Sequence, residues 1–245
     1  MTVSPPTRSQ TERADHTRAR ILEAAIREFS ENGLAGARTE QIAEAAGVNK
    51  ALLYYYFSGK DALYTAALEA VAEGVQASSI AVLESSVSAG ERLLQLALNH
   101  FDRIHSNQAF QSLMQQEMIR LHRGEENALT PLSEKLFRPQ WLRVQALVKE
   151  AIACGELIPV EWSQIIYAGL GANVFYFLSA PVTRLSQGFD PLERSALEFR
   201  RKAAIEYLGQ TVFVDRQVGA RLAARVLAAT PMPESSLLAV WGKKE

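Results

Sequence analysis

The residues best suited to do chemistry stand together between Thr39 and Leu63, in the run TEQIAEAAGVNKALLYYYFSGKDAL. Hydroxyls, amides and lysines are interleaved there with tyrosines and small apolar residues. Nothing in the set pairs a nucleophile with a base. It suits hydrogen bonding to phosphates and base edges instead. The spacing predicts a short helix capped by Thr39, a tight turn at Gly47 and a second short helix capped by Asn49. Glycine at 47 takes backbone conformations that other residues resist, and Val48 plugs the corner. Ile42, Ala43 and Ala46 supply the inner face of the first helix, and Leu53, Tyr56 and Phe57 that of the second. Asn49, Lys50, Leu52, Tyr54 and Tyr55 are left to face a DNA major groove and its phosphate walls. Glu40 stands among them. It is favourable at the positive end of a helix, yet beside DNA it repels phosphate unless it points away.

Catalytic patterns are missing from the sequence. There is no Gly-x-Ser-x-Gly, no phosphate-binding glycine loop and no His-x-x-x-His. Gly169-Leu170-Gly171 lacks the third glycine and the preceding strand of a dinucleotide site. Cys154 is the one cysteine, so no internal disulfide and no cysteine-based metal site can be built. Placed before Gly155 at a helix end, it reads as an inert thiol. His100, His105 and His122 are the histidines that hint at a metal. Few acids lie near them, and the first two, five residues apart, fall on different faces of a helix. No enzyme, no metal and no other cofactor is expected.

The hydrophobic fraction of 48% and charged fraction of 22% are those of a globular chain with material for a core. A net charge of −1 rules out a basic nucleic-acid coat. Over residues 1–60, eight lysines and arginines stand against seven acids, so any positive footprint comes from arrangement. The polar stretch from Met1 to Asp15 reads as no secretory signal, which points to the cytoplasm. Trp162 to Thr183 carries no charge and approaches the length of a membrane span, about 20 residues. Ser163, Gln164 and Asn173 interrupt it, and a buried interface helix reads the same way, so no membrane partner is expected.

Glycine and proline punctuate an otherwise helical pattern, and the expected fold class is all-α. A polar, proline-bearing tail over 1–14 precedes a helix near 17–32, whose Ile21, Leu22, Ala25, Ile26 and Phe29 share one face and whose end is marked by Gly33. Ser58 to Asp61 reads as a capping box opening a long helix through Leu63, Leu68, Val71 and Val75. Further helices are expected near 91–106, 109–123, 131–154 and 160–179. Another opens at Asp190-Pro191 and runs to about Phe213, and the last covers 215–229. The domain layout is then a tail at 1–14, a helix-turn-helix domain at 15–62, a larger helical domain at 63–214, and a C-terminal helix and tail at 215–245.

The stretch from about 16 to 65 resembles the N-terminal domain of the TetR family of bacterial regulators. The matching residues are Ile21-Leu22-x-x-Ala25, Phe29, Gly33, Thr39, Ile42-Ala43-x-x-Ala46-Gly47-Val48, Leu53-Tyr54-Tyr55-Tyr56-Phe57, Lys60 and Leu63. The resemblance implies that Lys50, Ala51 and Leu52 meet base edges, and that Thr39, Tyr54, Tyr55 and Lys60 hold phosphates. Arg38, and Arg13 or Arg18 from the tail, are placed to reach neighbouring phosphates. Position 51 is often glycine in relatives, and alanine departs from that. The rest of the chain resembles the family in helicity and length alone. The family's plan implies a homodimeric repressor bound to a double-stranded, inverted-repeat operator and released by a small-molecule effector, taken here as largely apolar.

The helices near 160–179 and 190–213 are the candidates for a four-helix dimer interface, with intramolecular core as the competing reading. Candidates to line an effector pocket are His100, Phe101, His105, Phe110, Met114 and Met118. His122, Trp141, Asn173, Tyr176 and Phe177 complete the set. The methionines, one helical turn apart, would make an adaptable wall; side chains of these types are more often plain core.

Overall fold

The computed structural model describes residues 8–234, which fold almost entirely as helix. The architecture is all-α, as the pattern predicts. Among the described residues, the strand-like feature is an isolated antiparallel bridge between Leu157 and Phe213. Two compact units form among the described residues: one holds residues 8–74 with Ala109–Ser133, the other Val75–Gln108 with residues 134–234. The first unit thus combines the N-terminal helices with a later one.

In the first unit, α1 (Arg8–Gly36) starts inside the segment expected to be a tail. Glu12, Arg13 and Ala14 are good helix formers, and Thr17 Oγ1 donates to the Arg13 carbonyl at 2.9 Å. Gly33 breaks the helical path at φ +68°, where the sequence places its end, and a last turn reaches Gly36. After α2 (Thr39–Ala45) and α3 (Lys50–Tyr56), the first half of α4 (Lys60–Leu83) buries Leu63, Tyr64, Ala67 and Leu68. Tyr64 meets Phe29 edge-on with ring centroids 5.0 Å apart. α6 (Gln108–His122) is fastened to the end of α1: Ser112 Oγ donates to the Ser30 carbonyl at 2.7 Å, and Gln116 donates to the Phe29 and Ser30 carbonyls. Glu117 is fully buried and accepts from Arg120 Nη1 at 2.7 Å and from the Ala128 backbone at 2.5 Å.

The second unit is built on α5 (Ala89–Ser106), α8 (Arg138–Ala153), α9 (Trp162–Ile166), α11 (Arg194–Thr211) and α12 (Arg216–Ala229). Leu94, Leu98, Val148, Ala151, Leu157, Ile205 and Ala223 make its core. α11 and α12 cross at Gly209 and Gly219: a Cβ on Gly209 would lie 2.6 Å from the Gly219 carbonyl oxygen. Asp102 and Arg201 form a bidentate pair at 2.7 and 2.8 Å, joining α5 to α11, and Arg201 also donates to the Thr230 carbonyl.

Three expected helices differ in detail. The single helix at 131–154 is α7 (Leu129–Leu132), a π turn at Ser133–Phe137, then α8. Pro139, in the first turn of α8, has no N–H to continue a regular ladder back into that turn. The helix at 160–179 is likewise α9, a π turn at Tyr167–Gly171 that holds two glycines, and α10 (Ala172–Gln187). Asp190 does not open α11. Its Oδ1 accepts from the Leu192 backbone at 2.9 Å, Tyr176 Oη donates to the Pro191 carbonyl at 2.6 Å, and the helix starts four residues later.

The 160–187 stretch is also not buried all round within one chain. Tyr167, Phe175, Leu178, Val182 and Leu185 are exposed, Phe175 at 68% and Leu185 at 89%. By length and composition alone, Lys60–Leu83 and Trp162–Gln187 are apolar enough to cross a bilayer. The first opens on Lys60 and Asp61 and buries one side in the first core, and the second's outward apolar row is equally what a facing helix would cover.

Candidate nucleic-acid interface

A buried apolar layer comes first. Ile42 and Ala43 of α2 with Ala46 that caps it, Leu53 of α3 and Phe57 just beyond it are all under 9% exposed, as are Ile21 and Ala25 of α1. With these faces inward, period 3.6 leaves the opposite face of α3 in water. The corner between α2 and α3 is set by Gly47 at φ +63°. Arg20 closes it, donating its guanidinium to the carbonyls of Ala46 and Gly47. Side-chain bonding to the last carbonyls of a helix stabilises its end. Asn49 caps α3 as expected, with its Oδ1 accepting from the Leu52 backbone at 2.7 Å.

The outward face carries Lys50, Ala51, Leu52, Tyr54 and Tyr55. Tyr55 is 80% exposed, its ring edge-on to Tyr56 at 5.4 Å. An aromatic of that size standing in water marks a contact surface more readily than a core edge. Tyr56, expected inward, is half-buried. Thr39 departs from expectation: Arg38 occupies the cap position without a side-chain bond, and Thr39 is the first helical residue and buried. Its hydroxyl lies 3.3 Å from Tyr54 Oη and 3.4 Å from Glu40 Oε2. Arg38 has an exposed side chain, and its backbone N–H donates to Glu28 Oε1 at 2.9 Å. Lys60 reaches back to the Ala35 carbonyl at 3.2 Å.

Glu40 does not point away from the outward residues. Its Oε1 accepts from the Lys50 ammonium, which lies 5.8 Å from the centroid of the Tyr54 ring. The hydrogen bond from Lys50 holds the Glu40 carboxyl below the usual carboxylate range, and the same bond raises Lys50 above the usual lysine range. Reading the sequence missed this pairing, and it missed Arg20 and the Arg18 guanidinium 5.3 Å over the Phe57 ring. Arg20 and the turn it closes are 26 residues apart, and no local pattern encodes such a contact.

The pocket candidates are not brought into one unit. Phe110, Met114, Met118 and His122 belong to the first unit, where Met118 and His122 are exposed. The second unit holds His100, Phe101, His105, Trp141, Asn173, Tyr176 and Phe177. Within it, Phe101 and Phe177 lie 5.2 Å apart and Tyr176 stands edge-on to Phe177. Trp141 sits apart from these, against Trp162 and Tyr167. Burial, with some help from the Arg103 charge, pushes His100 down to about 4, and its Nδ1 has no hydrogen-bond partner. His105 is also lowered by burial. Among the described residues, no group of three or more His, Cys, Asp or Glu side chains is placed to hold a metal ion.

The segment that carries this surface is similar to known proteins. Residues 21–67 match the family described as "Bacterial regulatory proteins, tetR family". The HTH-type transcriptional repressor NicS of Pseudomonas putida is 43% identical over 60 residues, 24% of this chain and 28% of that protein. The HTH-type transcriptional regulator RutR of Escherichia coli is 55% identical over 51 residues, 21% of this chain and 24% of that protein. The match thus spans about a quarter of the length of these relatives. The solved structure of a gamma-butyrolactone receptor (ArpA-like protein) covers 89% of this chain and all of its own, with TM-score 0.63 and 18% identity. A protein from Saccharomonospora viridis described as a transcriptional regulator, solved in complex with choline, covers 82% of this chain and 100% of its own, with TM-score 0.65 and 16% identity. At these identities the structural likeness speaks for the fold alone.

Proposed function

We propose that the chain is a TetR-family transcriptional regulator acting as a homodimeric repressor, binding an inverted-repeat operator and released from it by a small, largely apolar ligand. The observation that carries the reading is α3 itself. Its underside is buried apolar surface, and its outer side offers Lys50, Ala51, Tyr54 and Tyr55 with no catalytic partner nearby. A short helix of that kind fits the major groove, where Lys50 would meet a base edge while Tyr54, Tyr55 and Lys60 hold phosphates. The function is exerted on DNA in the cytoplasm.

Dimerisation is supported by the row Phe175, Leu178, Val182 and Leu185, spaced three, four and three residues apart on α10 and exposed to solvent. Phe199 and Tyr207 of α11 are exposed as well. Two such helices from each of two copies would bury these faces in a four-helix interface. Two-fold pairing also sets two reading helices about 34–36 Å apart, one turn of DNA, which calls for an inverted repeat. For the effector, Phe101, Tyr176 and Phe177 offer the aromatic lining usual in small-molecule sites. Two proteins of similar fold, a gamma-butyrolactone receptor and a regulator solved in complex with choline, take small ligands, which supports an effector site here.

The test is binding of the full chain to DNA from upstream of its own gene, followed by fluorescence anisotropy across salt concentrations. Lys50→Ala is expected to weaken specific binding by about 1–3 kcal/mol. Lys60→Ala should weaken binding to every sequence and flatten the salt dependence by about one phosphate contact. Parent-like binding by both variants would remove the reading helix from its proposed role.

A further inference from the structure

Glu40 presents a problem that its surroundings resolve. An unpaired acid on a DNA-facing surface would repel phosphate and reduce the counterion release that drives association. Here it is bonded to Lys50, the residue proposed to read a base, across the corner between α2 and α3. Two further side chains close the arrangement: Thr39 Oγ1 lies 3.4 Å from Glu40 Oε2, and Tyr54 Oη lies 3.3 Å from Thr39 Oγ1, with the Tyr54 ring beside the ammonium. The pair is held but not used up, since the side chains of Lys50 and Glu40 remain 48% and 62% exposed.

We propose that Glu40 is a specificity-determining residue, forming with Lys50 a joined ammonium and carboxylate that matches the major-groove edge of a G·C pair. The inference rests on the DNA-binding reading above and goes on to name what one position of the operator must be. Guanine presents O6 and N7 as acceptors for the ammonium, and its paired cytosine presents the N4 amino group as a donor to the carboxylate. An A·T pair in the same orientation would set thymine O4, an acceptor, and the thymine methyl against the carboxylate. The pair also carries no net charge, so this part of the surface adds little to phosphate attraction. Affinity for arbitrary DNA is thereby held down while discrimination at one base pair is gained.

In the experiment, the full chain selects its own sequence from a pool of random duplexes. Binding to the enriched sequence and to a random duplex is then measured across salt for the parent, E40A and E40Q. E44Q serves as comparator, because Glu44 is an exposed acid of α2 outside this network. E40Q keeps the size of the side chain, and thermal melting verifies that each variant is folded. For E40A and E40Q, enrichment of G·C should vanish at one pair of each half-site while the other enriched pairs persist. The ratio of specific to random affinity should fall about tenfold, and the salt slope on random duplex should steepen by up to about 0.9. E44Q should enrich the parental sequence. If E40A and E40Q also enrich the parental sequence with an unchanged ratio, Glu40 reads nothing, and DNA binding stands without it. A parent that enriches no sequence overturns the DNA-binding reading, and this assignment with it.

Discussion

Replacing Arg201 by Met should destabilise the protein far more than an ordinary core substitution, because of what it leaves behind. The Arg201 and Asp102 side chains are 7% and 11% exposed, and two bonds of 2.7 and 2.8 Å join them. Methionine fills most of the arginine's volume, so the cavity contribution is small. The Asp102 carboxylate, however, is left in a place water reaches poorly, with no counter-charge. Breaking a buried pair from one side costs about 3–5 kcal/mol. Arg201 also donates to the Thr230 carbonyl at 2.9 Å, but that residue is half-exposed and water can substitute. The double variant Asp102→Leu with Arg201→Met removes both charges and should return to within about 1 kcal/mol of the parent, since apolar replacement of a whole buried pair is often neutral or better. Urea unfolding followed by circular dichroism gives each free energy, at one fixed protein concentration because association shifts apparent stability. The reasoning fails if Arg201→Met loses less than about 1 kcal/mol, or if the double variant is as unstable as the sum of its singles.

Phe175→Asp places a charge in the middle of the exposed α10 row and should split the proposed dimer without unfolding the subunit, because residue 175 is solvated within one chain. Sedimentation at micromolar concentration reads the outcome, and an intact dimer would move the interface elsewhere; Val174→Asp, half-buried, should instead also lower stability. Burial pushes His100 down to about 4 from an ordinary 6.5, so between those values it stays neutral when folded and takes a proton on unfolding. Stability from this group is complete above pH 6.5 and declines as pH falls toward 4, by about 2 kcal/mol at pH 5. Urea midpoints at pH 7 and pH 5 should therefore converge in His100→Gln, and an equal acid loss in both proteins would refute the assignment. Compounds that raise the melting temperature by occupying the second unit should include some that also lower operator affinity. Tight binders that stabilise yet never release DNA would refute the effector mechanism, since equal affinity for both conformers shifts nothing.

The helix-turn-helix surface was legible because it is encoded locally. Ile42, Ala46, Gly47, Val48, Asn49 and Leu53 lie within twelve residues, and their spacing specifies helix, turn and helix before any tertiary contact forms. The cap at Asn49 and the break at Gly33 were legible for the same reason. What escaped notice depends on residues distant in sequence. Arg20 meets the turn across 26 positions, and Asp102 meets Arg201 across 99. Thr39 shows the limit of local rules from the other side. By type it is a good cap, yet the hydroxyl of Tyr54 and the carboxylate of Glu40 draw its side chain into the corner instead.

The helical body was legible as helix but not in which faces it buries, and the reason lies in its apolar residues. Leu98 and Leu178 look alike in a hydrophobic pattern, but one is fully buried in the second core and the other stands in solvent. Periodicity reports that a face is apolar and not whether its cover belongs to the same chain. The uncharged stretch after Trp162 therefore fits a membrane span, a core helix or an interface equally well at the level of sequence. In the fold it buries Ile165, Ile166 and Ala180 while leaving Phe175, Val182 and Leu185 outside. That division argues against a simple core helix and leaves an apolar row for a second surface to cover. The same ambiguity governs the residues expected to line an effector pocket. Phe101 and Met118 share a chemical character, yet one is a core residue of the second unit and the other is exposed in the first. A local motif is read from residue types and spacing, whereas a pocket or an interface exists only once distant elements have met.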